Sequence, residues 1–442
     1  MSLNSSPDNT ALEENGAVQL HYLVQLHSFL WLFLANSVGV LLAMLLLWPE
    51  MNRFLAPYTY GRWMPLHLNF HLYGWMSVPV LGMLFTWYCR FDRPSNRIAS
   101  SLVVLWSTVL LIGGWSWLNG GSSGKIFLDW SGNSRVLLII NLTLLWIGLC
   151  VLYFRRLNAG GLREEGAVIV VAAKVTLLIS LAATPLAFFQ VLRPSVYPPI
   201  NVESSGATGA SLLISTLGLI AIFLLAPLIL NVASDKPNLV RRVFGILLLH
   251  IGIWGLIEHG NSSHYDLSQI LGLASLVLWI PILGKYYRSF EWPSDSKPWL
   301  LSFGAWGTVL VITAFVMFLP GVLDQLKFTN GLVAHVHLAM AGMVSSFLMV
   351  LLSVEAGAPK NPSIVSRRLP FVLWHIGLVV YLFSMLYVSS IETHHADFLY
   401  RSYSARFAAY GSRLLGGLMM CISSLIWLME TIRRKRNLGL ST

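Results

Sequence analysis

The sequence predicts an all-α membrane protein, a polytopic bundle of about twelve transmembrane helices, and three observations carry that expectation. Of its 442 residues, 56% are hydrophobic and only 11% are charged, far from the balance of a soluble domain. Apolar runs long enough to cross a hydrocarbon core of about 30 Å recur along nearly the whole chain. The basic residues gather in alternate loops, as the positive-inside rule requires of a multispanning protein.

The runs follow in order. The polar, partly acidic segment "MSLNSSPDNTALEENGAVQL" lacks the basic and apolar regions of a cleavable signal and reads as a cytoplasmic tail over 1–23. The first span is expected near 24–48. The second, near 66–88, opens in "GRWMPLHLNFHLYGW" and closes at Arg90. The third, 98–118, starts after Arg93 and Arg97 and ends at the Gly- and Ser-rich loop "NGGSSGKIFLDWSGNSR". The fourth, 135–154, stops at Arg155 and Arg156. Arg163 precedes the fifth, 166–190, which carries Lys174 and is followed by "RPSVYPPI", whose prolines favour an extended entry to the next span. The sixth, 207–232, follows "NVESSGATGAS". The seventh, 241–258, opens on Arg241 and Arg242, just after Lys236, and ends in "LIEHGN". The eighth, 266–287, follows "IEHGNSSHYDLSQ" and ends at Lys285 and Arg288. The ninth, 299–319, begins after Lys297. The tenth, 331–354, opens in "GLVAHVHLAM". The eleventh, 369–390, lies between Arg367–Arg368 and the pair His394, His395. The twelfth, 408–432, runs into the basic tail 433–442, with Arg433, Arg434, Lys435 and Arg436. Residues 24–432 are thus expected to form a single membrane domain, with no internal repeat evident.

Charge fixes an expected orientation. With Lys360 added, the basic residues named above other than Lys174 number nineteen of the 29, and all face one side in this topology. Arg53, Arg62, Lys125, Arg135, Arg193, Lys327, Arg401 and Arg406 fall on the other, with Arg413 just inside the last span. Both termini are expected in the cytoplasm. The net charge of +10 is therefore a signature of topology and not of a nucleic-acid partner. Cys89, Cys150 and Cys421 are scattered, and no C-x-x-C-H occurs, so neither a disulfide framework nor covalent c-type heme is indicated.

The histidines carry the chemistry. At roughly 100° per residue, the two-residue step from His335 to His337 turns the side chains to opposite faces of one helix. His67 lies at the same expected depth, toward the outer face, and His71 follows it by one helical turn. Imidazole is a good axial ligand to heme iron when its second nitrogen is held by an acceptor. Helix–helix hydrogen bonding is the ordinary alternative for a histidine in a span. His259 and His264 occupy an outer loop, as candidates for a polar cavity, a solvated surface or a metal. His21 and His27 read as interfacial, and His250 and His375 as packed and hydrogen-bonded. Lys174 is compatible with a proton path or with structural pairing.

These motifs resemble the catalytic subunit I of heme-copper oxidases, closest to the C-type (cbb-type) oxidase and nitric oxide reductase branch. "GRWMPLHLN" is similar to that family's second-helix signature, "GLVAHVHLAMAGM" to its tenth and "SRLLGGLMMCISSLIW" to its last. The resemblance implies a heme-copper oxidase subunit I-like fold and two b-type hemes. His67 and His337 would be the axial pair of a low-spin heme and His335 the single ligand of a high-spin heme. Arg401 and Arg406 become candidates for propionate contacts. The family's copper or non-heme iron site is incomplete here: Ser205 stands where a histidine is expected, and Glu258 with His259 replaces a histidine pair, with His264 nearby. A serine hydroxyl is a poor copper ligand. The function implied is a heme-containing respiratory subunit carrying electrons from the low-spin to the high-spin heme. The alternatives are an active terminal oxidase or nitric oxide reductase with an atypical second metal site, and a twelve-span transporter without cofactor. A respiratory subunit of this kind implies the bilayer of a bacterial cytoplasmic membrane and a separate cytochrome c-type or quinol-linked electron donor.

Overall fold

The computed structural model describes residues 7–164, 168–355 and 363–437. The first six residues, Lys360 and the basic tail from 438 onward lie outside the described residues. The architecture is helical throughout, and β-structure among the described residues is limited to isolated bridges such as Asn201 with Ser262.

Among the described residues the long helical passages are, in order, α1 (Pro7–Leu47), α2 (Tyr60–Asn69, Phe70–Met76 and Ser77–Tyr88), α3 (Arg93–Leu118), α4 (Gly132–Glu164), α5 (Val168–Val191), α6 (Gly209–Ile229), α7 (Pro237–Trp254), α8 (Leu267–Ala274, Ser275–Leu278 and Trp279–Tyr287), α9 (Lys297–Phe318), α10 (Asn330–His337, Leu338–Val344 and Ser345–Glu355), α11 (Arg368–Glu392) and α12 (Tyr403–Asn437). Among the described residues, ten helices are long and apolar enough to cross a membrane, so the chain is an integral membrane protein. α2 and α7 fall short of that measure for separate reasons. α2 carries polar and weakly apolar side chains through its first half, among them Arg62, His67, Asn69 and His71, and α7 has 18 residues with Arg241 and Arg242 in its first turns. α1 already runs helically from Pro7 through part of the expected tail.

Two compact units divide the chain. One holds the helices up to residue 197 together with the last stretch from residue 421; the other holds residues 198–354 and 365–420.

In the first unit α1 packs on α2 and α3, α3 on α4, and α4 on α5. Large aromatics fill its interior: Trp31, Trp75, Trp117, Trp130, Trp427, Phe29 and Phe85 are all fully buried. Phe29 of α1 stacks between Trp75 and Trp427, with ring centroids 6.1 and 6.0 Å away. Polar side chains on α1 meet α12 as well, where Asn36 Nδ2 donates to Ser424 Oγ at 3.2 Å and Ser37 Oγ lies 3.6 Å from Cys421 Sγ. Asp92 caps α3 by accepting from the Ser95 amide at 2.8 Å and pairs with Arg155 at 3.2 Å.

In the second unit α6 packs on α7 and α8, and α10 lies against α9 and α11. His250 of α7 is fully engaged: Trp279 Nε1 donates to its Nδ1 at 2.8 Å, and its Nε2 meets Ser275 Oγ at 2.6 Å. That is the packed, hydrogen-bonded role expected for a histidine in a span. α11 and α12 touch through glycine, because a methyl at Gly377 would stand 2.7 Å from the Gly416 carbonyl. Small residues at such crossings let helix backbones approach in a membrane.

Candidate functional site

His67 sits near the C-terminal end of the first α segment of α2, three positions before the π-helical stretch. Its Nδ1 lies 2.9 Å from the carbonyl oxygen of Ala35 on α1. A carbonyl only accepts, so Nδ1 carries the proton and the lone pair of the neutral ring is on Nε2. Gly39, one turn after Ala35, lies flat against the imidazole, and a methyl there would come within 2.7 Å of Cε1. His71 meets His67 edge-on, with centroids 4.8 Å apart.

On α2, two residues after His67, Asn69 holds a group that sequence reasoning missed. Asp129, in the loop between α3 and α4, is 4% exposed. It accepts from Ser122 Oγ at 2.8 Å and from Asn69 Nδ2 at 3.2 Å, so this loop is tied to α2 two residues after His67. The available signal was an acid set between apolar residues in "FLDW", just ahead of the fourth span.

In the second unit α10 presents His335 and His337 to different neighbours. His335 Nδ1 is 3.5 Å from Thr313 Oγ1 on α9, a long contact. The ring of His337 stacks on Tyr381 of α11, with centroids 4.2 Å apart and planes 29° from parallel. The half-turn separation expected from an H-x-H step is thus realised. His337 Nδ1 donates to the Val333 carbonyl at 2.8 Å, which again leaves the lone pair on Nε2. Tyr381 also carries the guanidinium of Arg413, 5.4 Å from its ring centroid.

The start of α10 is fixed from α11. Glu392 accepts from the Asn330 amide at 2.8 Å and from Asn330 Nδ2 at 2.7 Å, which sets a carboxylate at a helix N-terminus. Thr329 caps the helix by accepting from the Gly331 amide at 3.1 Å, and its hydroxyl meets Ser389 Oγ at 2.7 Å. Gly331 is required by close approach, since a methyl there would lie 2.5 Å from Ser389 Oγ.

The four residues at the expected second-metal position do not converge. Ser205 is exposed in the turn before α6, with a left-handed φ of 56°. Glu258 and His259 are exposed, and His259 packs on Trp254 with centroids 4.4 Å apart. His264 is fully buried. Its Nδ1 lies 3.3 Å from Asn201 Oδ1 and 3.6 Å from Glu203, and its Nε2 lies 3.3 Å from Asp324. Both ring nitrogens therefore face oxygen groups of the surrounding loops. Around it Tyr265 donates to Asp324 at 2.6 Å and Ser263 to Glu203 at 2.6 Å, while Lys327 lies 3.8 Å from Asp324. The Ser263 hydroxyl and the nearby His264 hold the Glu203 carboxyl below its ordinary range. The Tyr265 hydroxyl, with the Gly321 amide and His264, does the same for Asp324. The result is a knot joining three loops of the second unit.

The remaining candidates have other partners. Arg401 pairs with Asp397, and Arg406 lies over the Tyr403 ring at 5.4 Å. His394 and His395 are exposed. Lys174 is 2% exposed, with Trp87 and Tyr153 rings 6.0 and 5.7 Å from its ammonium. His27 meets Ser107 at 2.7 Å, and His375 meets the Phe371 carbonyl at 2.9 Å.

No protein-family model and no curated protein matches the chain. Among solved structures it is similar to a heme-copper terminal oxidase dimer determined by cryo-EM, with a TM-score of 0.60 at 12% identity, over 96% of this chain and 84% of that one. The likeness establishes a shared fold.

Proposed function

We propose that this chain is a heme b-binding subunit of a respiratory complex, with His67 and His337 as the axial ligands of a low-spin heme and His335 as the single protein ligand of a second, high-spin heme. The observation that carries this reading is the tautomer shared by His67 and His337. In each ring a backbone carbonyl takes the Nδ1 proton and leaves the lone pair on Nε2, the arrangement an axial imidazole needs. Gly39 supports it by giving the His67 ring space against α1.

When bound, the hemes supply one-electron redox chemistry, and a single-histidine iron keeps one position for a diatomic ligand. The chain's own part is positioning. Ala35 and Val333 orient the rings, Glu392 anchors the turn that carries His335 and His337, and Tyr381 supports the His337 face. Arg401 and Arg406 remain the residues proposed for propionate contact, through rearrangement of their present partners.

The reading carries no copper. Ser205, Glu258, His259 and His264 do not meet as a donor set, and His264 is committed to Asn201, Glu203 and Asp324. Electrons would arrive from a separate cytochrome c-type or quinol-linked subunit, in a bacterial cytoplasmic membrane with both termini inside.

Purified protein should give b-type bands in a reduced-minus-oxidised spectrum, with two hemes per chain by extraction. His67→Ala and His337→Ala should each remove the low-spin band, and His335→Ala should remove carbon monoxide binding. Absence of b-type bands would sink the proposal in favour of a transporter. Metal analysis finding copper or non-heme iron, together with consumption of oxygen or nitric oxide, would replace it with an active terminal reductase.

A further inference from the structure

The two histidine-bearing helices contain the same local device. In α2 the π-helical segment Phe70–Met76 begins three positions after His67; in α10 the segment Leu338–Val344 begins three positions after His335. Both end at a serine. Ser77 Oγ donates to the Leu72 carbonyl at 2.9 Å, and Ser345 Oγ donates to the Met340 carbonyl at 2.8 Å, each five residues back. The next carbonyl in each segment accepts from a tryptophan of the helix packed alongside. Trp106 Nε1 of α3 donates to Tyr73 O at 2.6 Å, and Trp374 Nε1 of α11 donates to Ala341 O at 3.0 Å. Each segment then has a glycine pressed on another indole: Gly74 on Trp31 and Gly342 on Trp306.

The correspondence extends to register. His67 and His335, Leu72 and Met340, Tyr73 and Ala341, Gly74 and Gly342, Ser77 and Ser345, and Trp106 and Trp374 are all separated by one constant interval in the chain. Asn69, which holds Asp129, occupies the place of His337. The expectation of no internal repeat is therefore corrected: the chain carries the device twice, once in each unit.

A π-helical turn takes one more residue than an α turn, so it rotates everything on its N-terminal side by roughly 100° relative to a continuous α-helix. It also misaligns backbone carbonyls, which inside a bilayer must find other donors. The serine hydroxyl and the neighbouring indole are those donors. In the π-helical register each of these donors is paired with one of the displaced carbonyls.

Resting on the heme reading, we propose that Ser77, Trp106, Ser345 and Trp374 are positioning residues that lock the helical phase of the histidines. The pair on α2 sets the direction of His67, and the pair on α10 sets the directions of His335 and His337.

The test uses the full chain in detergent and two double variants, Ser77→Ala/Trp106→Phe and Ser345→Ala/Trp374→Phe. Ser→Ala is nearly isosteric, and Trp→Phe keeps an apolar aromatic ring in place while removing the indole N–H. Amide exchange in the corresponding π segment should become roughly five- to thirtyfold faster for the loss of one or two net hydrogen bonds. The low-spin ferric signal in electron paramagnetic resonance should shift and shrink, while Ser345→Thr, which keeps the hydroxyl, should retain the wild-type signal. Faster exchange with an unchanged signal would reduce the four residues to a structural role and overturn the proposal; so would no change in either. If the wild-type chain binds no heme, the functional reading has failed by itself. The phase is then read from acylation of His67, His335 and His337 by diethyl pyrocarbonate: altered rates in the double variants support the lock, and unaltered rates overturn it.

Discussion

Gly39 and His67 are in direct contact across α1 and α2, with no room for a methyl group between them. Gly39→Ala should push the imidazole off the Ala35 carbonyl at a cost of about 1–3 kcal/mol for overpacking. The low-spin heme band should fall in this variant while the helical circular dichroism stays intact. A normal band would show that the ring direction does not depend on α1.

Glu392 is the next residue to probe, because its two hydrogen bonds hold the first turn of α10. Glu392→Ala should destabilise the protein by about 1.5–3 kcal/mol, the range for hydrogen bonds to a charged group. Thermal unfolding in detergent gives the number. Local amide exchange at 330–334 should rise before any global loss of helix.

The loop knot around His264 makes the second unit sensitive to acid. The folded-state values of Glu203 and Asp324 are depressed below 4.5 and 3.8, so their stabilisation is present above those values and is lost as pH falls through the lower folded-state values. Exchange at 201–206, 262–266 and 321–326 should therefore accelerate below about pH 4, while the spans remain protected. Tyr265, held above 10 by its hydrogen bond to Asp324, has the opposite sign: its contribution is present below pH 10 and is lost as pH rises through its folded-state value. Asp324→Asn should remove the Asp324 share of the acid response, and an unchanged acid response would count against the knot.

Lys125 closes the C-terminal end of α5. Its ammonium donates to the carbonyls of Val191, Arg193 and Val196 at 2.9, 2.7 and 2.7 Å. Lys125→Met should cost about 1 kcal/mol, the low end for charged hydrogen bonds because the group is exposed. Lys125→Arg should not recover the loss, since a planar guanidinium cannot direct its donors at three carbonyls around one point. Paired melting curves distinguish the two outcomes.

Hydropathy made the helices legible because lipid imposes a strong and nearly uniform length rule on every span. The two-sided presentation of His335 and His337 was equally readable, since it depends only on helical periodicity. The π-helical segments were not, because nothing in "FHLYGWM" or "LAMAGMV" departs from ordinary helical composition. Their stabilising groups, Trp106 and Trp374, come from other helices. Repetition escaped notice for a related reason: a handful of His, Gly, Ser and Trp positions keep register while the lipid-facing residues between them vary freely. His264 read as a loop residue open to several roles, yet it is buried, because its partners Asn201 and Asp324 lie in loops far from it in sequence. The same holds for Asp129, whose burial depends on Asn69.

The polar contacts of α1 with the end of α12 also set an order of biogenesis. A ribosome releases Asn36 and Phe29 into the membrane while the residues that will hold them, Ser424 and Trp427, have yet to be translated. The side of α1 that meets the end of α12 therefore waits through nearly the entire synthesis, while α2 and α3 can cover the rest of it as soon as they are made. The nascent chain needs lipid, an insertase or a membrane chaperone to shelter that surface.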